Sequence, residues 1–312
     1  MVSGSEESVI EKTPDHIARM HAPGFALSAS RLQDYLACPA KFFYAKVEGL
    51  SAADEVAEAM DSGMMGSVLH ETMQKLYSGR RSIDRDYLQG LLKDSKLIDG
   101  LIREGICAKM RSDEVVGRNL VFEDMLRTYV RGILSTDLRL LTDRGLQSFD
   151  ILGLELDRHM NFGGFHFKGT IDRLDSFDKG TLRIVDYKTG SVGKDDLPGP
   201  DKYGNPAPIV DRIFGDDNAK RPKIALQLLI YDMLLEGASF AKGRLLKNCI
   251  YQTAGLFRED PPEALCDEAL CALAKERLEA LLHEIDDPGV PWTRKGDEKT
   301  CQYCDFKDLC GR

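Results

Sequence analysis

Long apolar runs are missing from this chain: nowhere do ~18 consecutive apolar residues occur, so no membrane-spanning helix is expected. No secretory leader is expected at the start of this sequence either. The opening MVSGSEESVIEK has no basic region ahead of an apolar stretch and reads as part of a flexible lead-in over residues 1–24. A cytoplasmic location is the resulting expectation. Positive charge is in deficit, with 42 Lys and Arg against 51 Asp and Glu and a net charge of −9. Overall charge therefore lends no support to nucleic-acid binding; any such site must be local, its basic residues gathered on one face. No Gly-x-x-x-x-Gly-Lys-Ser/Thr loop occurs, which leaves no ATP-driven motor, and no internal repeat is visible.

What is present is core material. With 312 residues and 43% hydrophobic content, the chain can build one large domain or two small ones. Such a core needs no disulfide framework, although there are eight cysteines. Cys107, Cys249, Cys266 and Cys271 sit singly in apolar or helical patterns and read as small buried residues.

Helical periodicity dominates the first half. Phe25 to Leu50 reads as a helix interrupted at Cys38-Pro39, with Ser30 and Gln33 as a capping box and Ser28 as a competing cap. Gly63 and Gly66 precede a second expected helix, Ser67 to Tyr77. Residues 80–148 read as a helical insertion. Its Arg111, Arg118, Arg127 and Arg131 could line a DNA path, but solvated helix faces paired with Asp and Glu are the favoured reading. From Ile151 the period becomes two, and turns at Gly163-Gly164 and Asp178-Lys179-Gly180 divide three strands of an antiparallel meander. Residues 191–223 are proline-rich and read as a long loop. A helix over Ile224–Leu235, a strand over Leu245–Gln252 and an amphipathic helix over Pro262–Ile285 complete the pattern.

The chemistry concentrates on two strands of the meander. Asp186 and Lys188 are two apart and share a strand face, while Val185 and Tyr187 point the other way. The hairpin turn at Asp178-Lys179-Gly180 can bring Asp172 beside Asp186. Two carboxylates and an ammonium in one patch suit phosphodiester hydrolysis: hard oxygen ligands select Mg²⁺ or Mn²⁺, and Lys188 can position water or neutralise developing charge. By itself such a pattern reads by default as an ordinary cross-strand salt bridge.

Its setting is distinctive. Gly169-Thr170-Ile171-Asp172-Arg173 and Ile184-Val185-Asp186-Tyr187-Lys188-Thr189-Gly190 closely resemble motifs of the RecB-like branch of the PD-(D/E)XK nucleases. Gly66 to Glu71 resembles that family's first motif, Gln227 to Tyr231 its last, and Ser28 to Phe43 its entry segment. The resemblance implies an α/β, restriction-endonuclease-like core: a mixed central sheet flanked by helices, plus the helical insertion, spanning residues 25–312. It implies metal positions at His70, Asp172, Asp186 and Tyr187 and a catalytic Lys188, with Gln227 and Tyr231 supporting the site. Glu155 is evenly balanced between a supporting role and a plain strand residue.

Cys301, Cys304 and Cys310 form a compact C-terminal cluster, for which Cys38 is the best fourth partner. This resembles the AddB-type nucleases and implies a structural [4Fe–4S] cluster joining the two ends of the domain, with Zn²⁺ as the chemical alternative. The expectation is a metal-dependent DNA nuclease acting on single strands or duplex ends, alone or as the end of a longer helicase-nuclease. Its rivals are a non-catalytic DNA-end binding module and a cysteine-metal interaction module.

Overall fold

The computed structural model describes residues 9–51, 59–254, 260–295 and 301–311. Strand β1 (Val9–Ile10) pairs antiparallel with a strand near the other end of the chain, Trp292–Thr293. Helix α1 (Pro14–Met20) follows, capped by Thr13. The expectation of a flexible lead-in over 1–24 is thus corrected from Val9 onward, while residues 1–8 lie outside the described residues. Long-range packing is the reason. Ile10, Ile17 and Met20 pack into the larger core, and the Lys12 ammonium donates to the carbonyls of Glu284 and Asp287 at 2.6 and 3.2 Å.

Helix α2 (Ala29–Ala37) is capped by Ser28, whose Oγ accepts from the Arg31 N–H, so the earlier of the two candidate caps is used. Pro39 ends it, because the residue before a proline is driven to extended backbone, and Cys38 has φ −163°. Helix α3 (Pro39–Phe42) and a π turn over Phe43–Val47 then continue the segment. Helix α4 (Ser62–Tyr77) starts earlier than expected, at an Asp61 cap that accepts from Met64 N–H at 2.7 Å. Gly63 and Gly66 therefore lie inside the helix.

Within the 80–148 segment a short strand β2 (Ser82–Asp84) precedes α5 (Arg85–Lys93), α6 (Ser95–Met110) and α7 (Asn119–Asp143). Gly105 lets α6 approach α4, since a Cβ there would stand 2.9 Å from Val68 Cγ1. Arg127 pairs with Asp99, Glu123 and Asp124, in keeping with a solvated, ion-paired helix face.

Strands β3 (Ser148–Phe162), β4 (Phe165–Ser176) and β5 (Thr181–Lys188) form the expected meander. The segment after β5 is not one long loop: it contains α8 (Ala207–Phe214), which forms because Ile209, Val210 and Ile213 bury one face. Helix α9 (Lys223–Leu235) leads to β6 (Leu245–Gln252), which runs parallel to β5 along its whole length. Strand β7 (Glu263–Ala264) pairs with β6. The last long helix, α10 (Glu268–Asp286), begins at an Asp267 cap rather than at Pro262, because residues 263–264 are used as strand; β8 (Trp292–Thr293) follows.

The result is a six-stranded mixed sheet, ordered β2-β3-β4-β5-β6-β7 and flanked by helices: the expected α/β, restriction-endonuclease-like architecture. One face carries a core built with α2, α8, α9 and α10; the other carries a second core with α4 to α7. Among the described residues no helix is long and apolar enough to cross a membrane.

Candidate active site

The hairpin register brings the two aspartates together. Arg173 pairs with Val185 and Leu174 with Ile184, so one step further Asp172 stands opposite Asp186. On the other side of β4, Leu154 pairs with Arg173 and Leu156 with Ile171, which puts Glu155 level with Asp172. Three carboxylates thus lie in one row across three strands.

Glu155 also breaks the strand's alternation. Its φ of 43° is left-handed, rare for a residue with a Cβ. Leu154 packs into the core beneath α4 to α7, whereas Leu156 and Ile171 pack into the opposite one. Residues two apart normally share a face. The ribbon therefore turns its faces over at Glu155–Asp172, and the acidic row occupies that turnover.

Helix α4 lowers His70 onto the row. Its Nε2 lies 3.0 Å from the Tyr187 carbonyl oxygen, which can only accept; Nε2 therefore carries the proton and Nδ1 presents a lone pair. Nδ1 faces Asp172 Oδ1 at 3.5 Å and Glu155 Oε1 at 3.8 Å. Burial lowers the His70 pKa and so favours this neutral form. Asp172 is held well above the usual carboxylate range, by burial first and the charge of Asp186 second. Glu155 is also raised, by burial and then by Asp157. Crowded, desolvated carboxylates beside an imidazole lone pair are what a divalent cation stabilises. Among the described residues, His70, Glu155 and Asp172 alone offer three ligand atoms within 4.8 Å of one another.

Asp186 is fully buried, and the Lys188 ammonium stands 2.7 Å from its Oδ2. Gln227 on α9 ties the pair together: its Nε2 donates to Asp186 Oδ1 at 3.2 Å, and its Oε1 accepts from Lys188 Nζ at 3.0 Å. The same amide nitrogen lies 2.8 Å from the Tyr231 hydroxyl, one helical turn on. Gly169 permits this approach of α9, since a Cβ there would lie 2.7 Å from Leu234 and 3.3 Å from Tyr231. A cavity of about 510 Å³ opens beside the site, lined in part by Ser30, Gln33, Lys168, Thr170, Gln227 and Tyr231.

Tyr187 meets the acidic row through its backbone, and its ring stands edge-on to the His70 ring with centroids 5.8 Å apart. Its N–H donates to Asp172 Oδ2 at 2.8 Å and its carbonyl receives His70, while its ring is buried in the core with α4 to α7. The ring direction expected from strand alternation holds, and the phenol is no ligand. A buried group behind the site carries no sequence signal. There Arg173, fully buried, makes a two-pronged bond to Asp137 of α7 at 2.7 and 3.0 Å.

Cys38 and the three C-terminal cysteines lie on the same side of the molecule without forming a compact sulfur group among the described residues. Cys38 is buried, and the Cys310 thiol is pushed up by burial, then by the neighbouring thiols of Cys38 and Cys304, with Arg294 opposing. No three of the four sulfurs fall within 4.8 Å of one another.

The chain is similar in sequence to known proteins. The chain is 26% identical over 303 residues to a protein of Thermoanaerobacter sp. (strain X514) named as a subunit of an ATP-dependent helicase/deoxyribonuclease, and equally to its counterpart in Thermoanaerobacter pseudethanolicus. These matches cover 85% of this chain and 22% of each relative, so the chain spans about a fifth of their length. An uncharacterized protein of Rickettsia conorii, RC0550, is 22% identical over 209 residues, covering 62% of this chain and 23% of that protein. The family profile described as the PD-(D/E)XK nuclease superfamily matches residues 26–311, nearly the whole chain, and the chain belongs to that superfamily.

Proposed function

We propose that this chain is a divalent-metal-dependent deoxyribonuclease domain that hydrolyses phosphodiester bonds, in the context of a helicase-nuclease that processes DNA ends. The observation that carries the reading is the convergence of the His70–Glu155–Asp172 group with Asp186, Lys188 and Gln227. The donor set, carboxylate oxygens and one neutral imidazole nitrogen, fits Mg²⁺ or Mn²⁺. His70 through Nδ1, Asp172 and Glu155 would hold the ion, with Asp186 beside them, while the Tyr187 carbonyl orients the imidazole from its Nε2 side. When bound, the ion supplies Lewis-acid stabilisation of the phosphate oxygens and a more acidic water.

The chain's own groups do the rest. Lys188, held between Asp186 and Gln227, presents a fixed positive charge toward the phosphate and orients the attacking water. Gln227 keeps Lys188 aimed, and Tyr231 keeps Gln227 aimed. Deoxyribonucleic acid as substrate, and a motor elsewhere in the assembly, are inferred from the names of the helicase/deoxyribonuclease relatives.

Cys38, Cys301, Cys304 and Cys310 are proposed to hold a structural [4Fe–4S] cluster. Four thiolates are the donor set such a cluster requires, and the one distant cysteine with the x5 spacing of Cys304 and Cys310 favours it over a single zinc ion.

The test is cleavage of labelled single-stranded and duplex DNA with Mg²⁺ or Mn²⁺, by the wild type and by Lys188→Ala. Metal-dependent cleavage lost in the variant is expected. Unchanged cleavage overturns the role of Lys188, and binding without cleavage by the wild type favours a non-catalytic DNA-end module instead.

A further inference from the structure

The buried polar group behind the active site converges on one side chain. Asp137 of α7 is fully buried, and its two oxygens accept four hydrogen bonds. Arg173 supplies two of them, at 2.7 and 3.0 Å; Tyr77 supplies one at 2.6 Å and Tyr251 one at 2.5 Å. The donors come from three elements around the site. Tyr77 ends α4, the helix that carries His70; Arg173 follows Asp172 on β4; Tyr251 is the register partner of Tyr187 on β6. The fourth element, β5, is reached through Arg173, whose Nη1 also donates to the Tyr187 hydroxyl at 3.1 Å.

Tyr187 is the residue whose N–H holds Asp172 and whose carbonyl holds His70. Its hydroxyl and its peptide are joined through only two side-chain torsions, and the ring is packed in the core, so a constraint on the hydroxyl limits how the peptide can tilt. Residues that orient metal ligands from behind affect affinity strongly, because a misdirected ligand must be reoriented on binding.

We propose that Asp137 is a positioning residue for the metal centre: through Arg173 and Tyr187 it holds the peptide that aims Asp172 and His70. The proposal rests on the reading of that centre as a divalent-cation site. It assigns the helical segment 80–148, through Asp137 of α7, a part in the site's precision.

Mn²⁺ affinity, measured by electron paramagnetic resonance of the free ion at a temperature where each protein is folded, tests this directly. Asp137→Asn keeps the shape and removes the charge; roughly 10-fold weaker Mn²⁺ binding is expected. Tyr187→Phe removes only the hydroxyl, should weaken binding by about threefold, and carries the test if Asp137→Asn does not fold. Tyr35→Phe is the control. It deletes another buried hydroxyl, bonded to Glu284 at 2.8 Å in the opposite core, and should lower the melting temperature without changing Mn²⁺ affinity. Tyr187→Phe matching the Tyr35→Phe control, with affinity unchanged, overturns the proposal alone. A wild-type protein that takes up no Mn²⁺ overturns the metal-centre reading and this proposal with it.

Discussion

His70 and Asp172 are both anchored to Tyr187, the histidine by its Nε2 on the carbonyl at 3.0 Å and the aspartate by its Oδ2 on the N–H at 2.8 Å. Their other atoms, Nδ1 and Oδ1, are left facing each other at 3.5 Å. Both side chains are therefore aimed by a single residue.

Metal affinity should fall with acidification at a pH above the ordinary aspartate range. Asp172 is raised well above 3.8 in the folded protein, so the fold favours its protonated form and a cation must displace that proton. The stability that this protonated form contributes is fully present below the unfolded value and lost as pH rises through the folded pKa. His70 is lowered and already neutral near pH 7, so it imposes no such competition there. Calorimetry of Mn²⁺ binding in buffers of different ionisation heat should detect proton release in weakly acidic solution. Binding with no proton release across that range contradicts the shift at Asp172.

Glu155→Gly should stabilise the protein while weakening its metal site. The left-handed φ of 43° costs a residue with a Cβ about 1 kcal/mol, a cost glycine escapes, and removing the carboxylate relieves repulsion with Asp157. A rise in melting temperature of about 2 °C is expected in metal-free protein, together with roughly 10-fold weaker Mn²⁺ binding. A lower melting temperature would show that the strain is offset by contacts Glu155 makes.

Gln227→Ala should reduce cleavage at saturating metal by about 10- to 100-fold, leaving Mn²⁺ affinity nearly unchanged. The amide bridges Asp186 and Lys188, so its loss frees the ammonium rather than removing a ligand. A loss confined to metal affinity would place Gln227 with the metal ligands instead.

Protein purified without oxygen should be brown and contain about four irons, and Cys310→Ser should lose both colour and thermal stability. Iron and sulfide analysis decides the matter. A colourless protein with one zinc per chain would replace the cluster with a single-ion site.

Much of the site was legible before folding was considered. The alternation in Ile184 to Lys188 and the turn at Asp178-Lys179-Gly180 are local, and they put Asp172, Asp186 and Lys188 together. The limits of β6 and the four-residue spacing of Gln227 and Tyr231 on α9 were equally local. The Asp61 start of α4 and the packing of residues 9–24 were not visible, because a polar cap or a modest apolar pair is used only if a partner surface exists.

The sequence by itself determined which chemistry the chain can support, since periodicity and turn residues act over a few neighbours. Only the tertiary structure decided how finely that chemistry is aimed. Arg173 finds Asp137 across 36 positions and Tyr251 finds it across 114, distances at which no local pattern carries information. Buried polar groups must be satisfied by whatever the fold brings near, so Glu155's strained backbone and Asp137's four bonds are properties of the assembled sheet and helices.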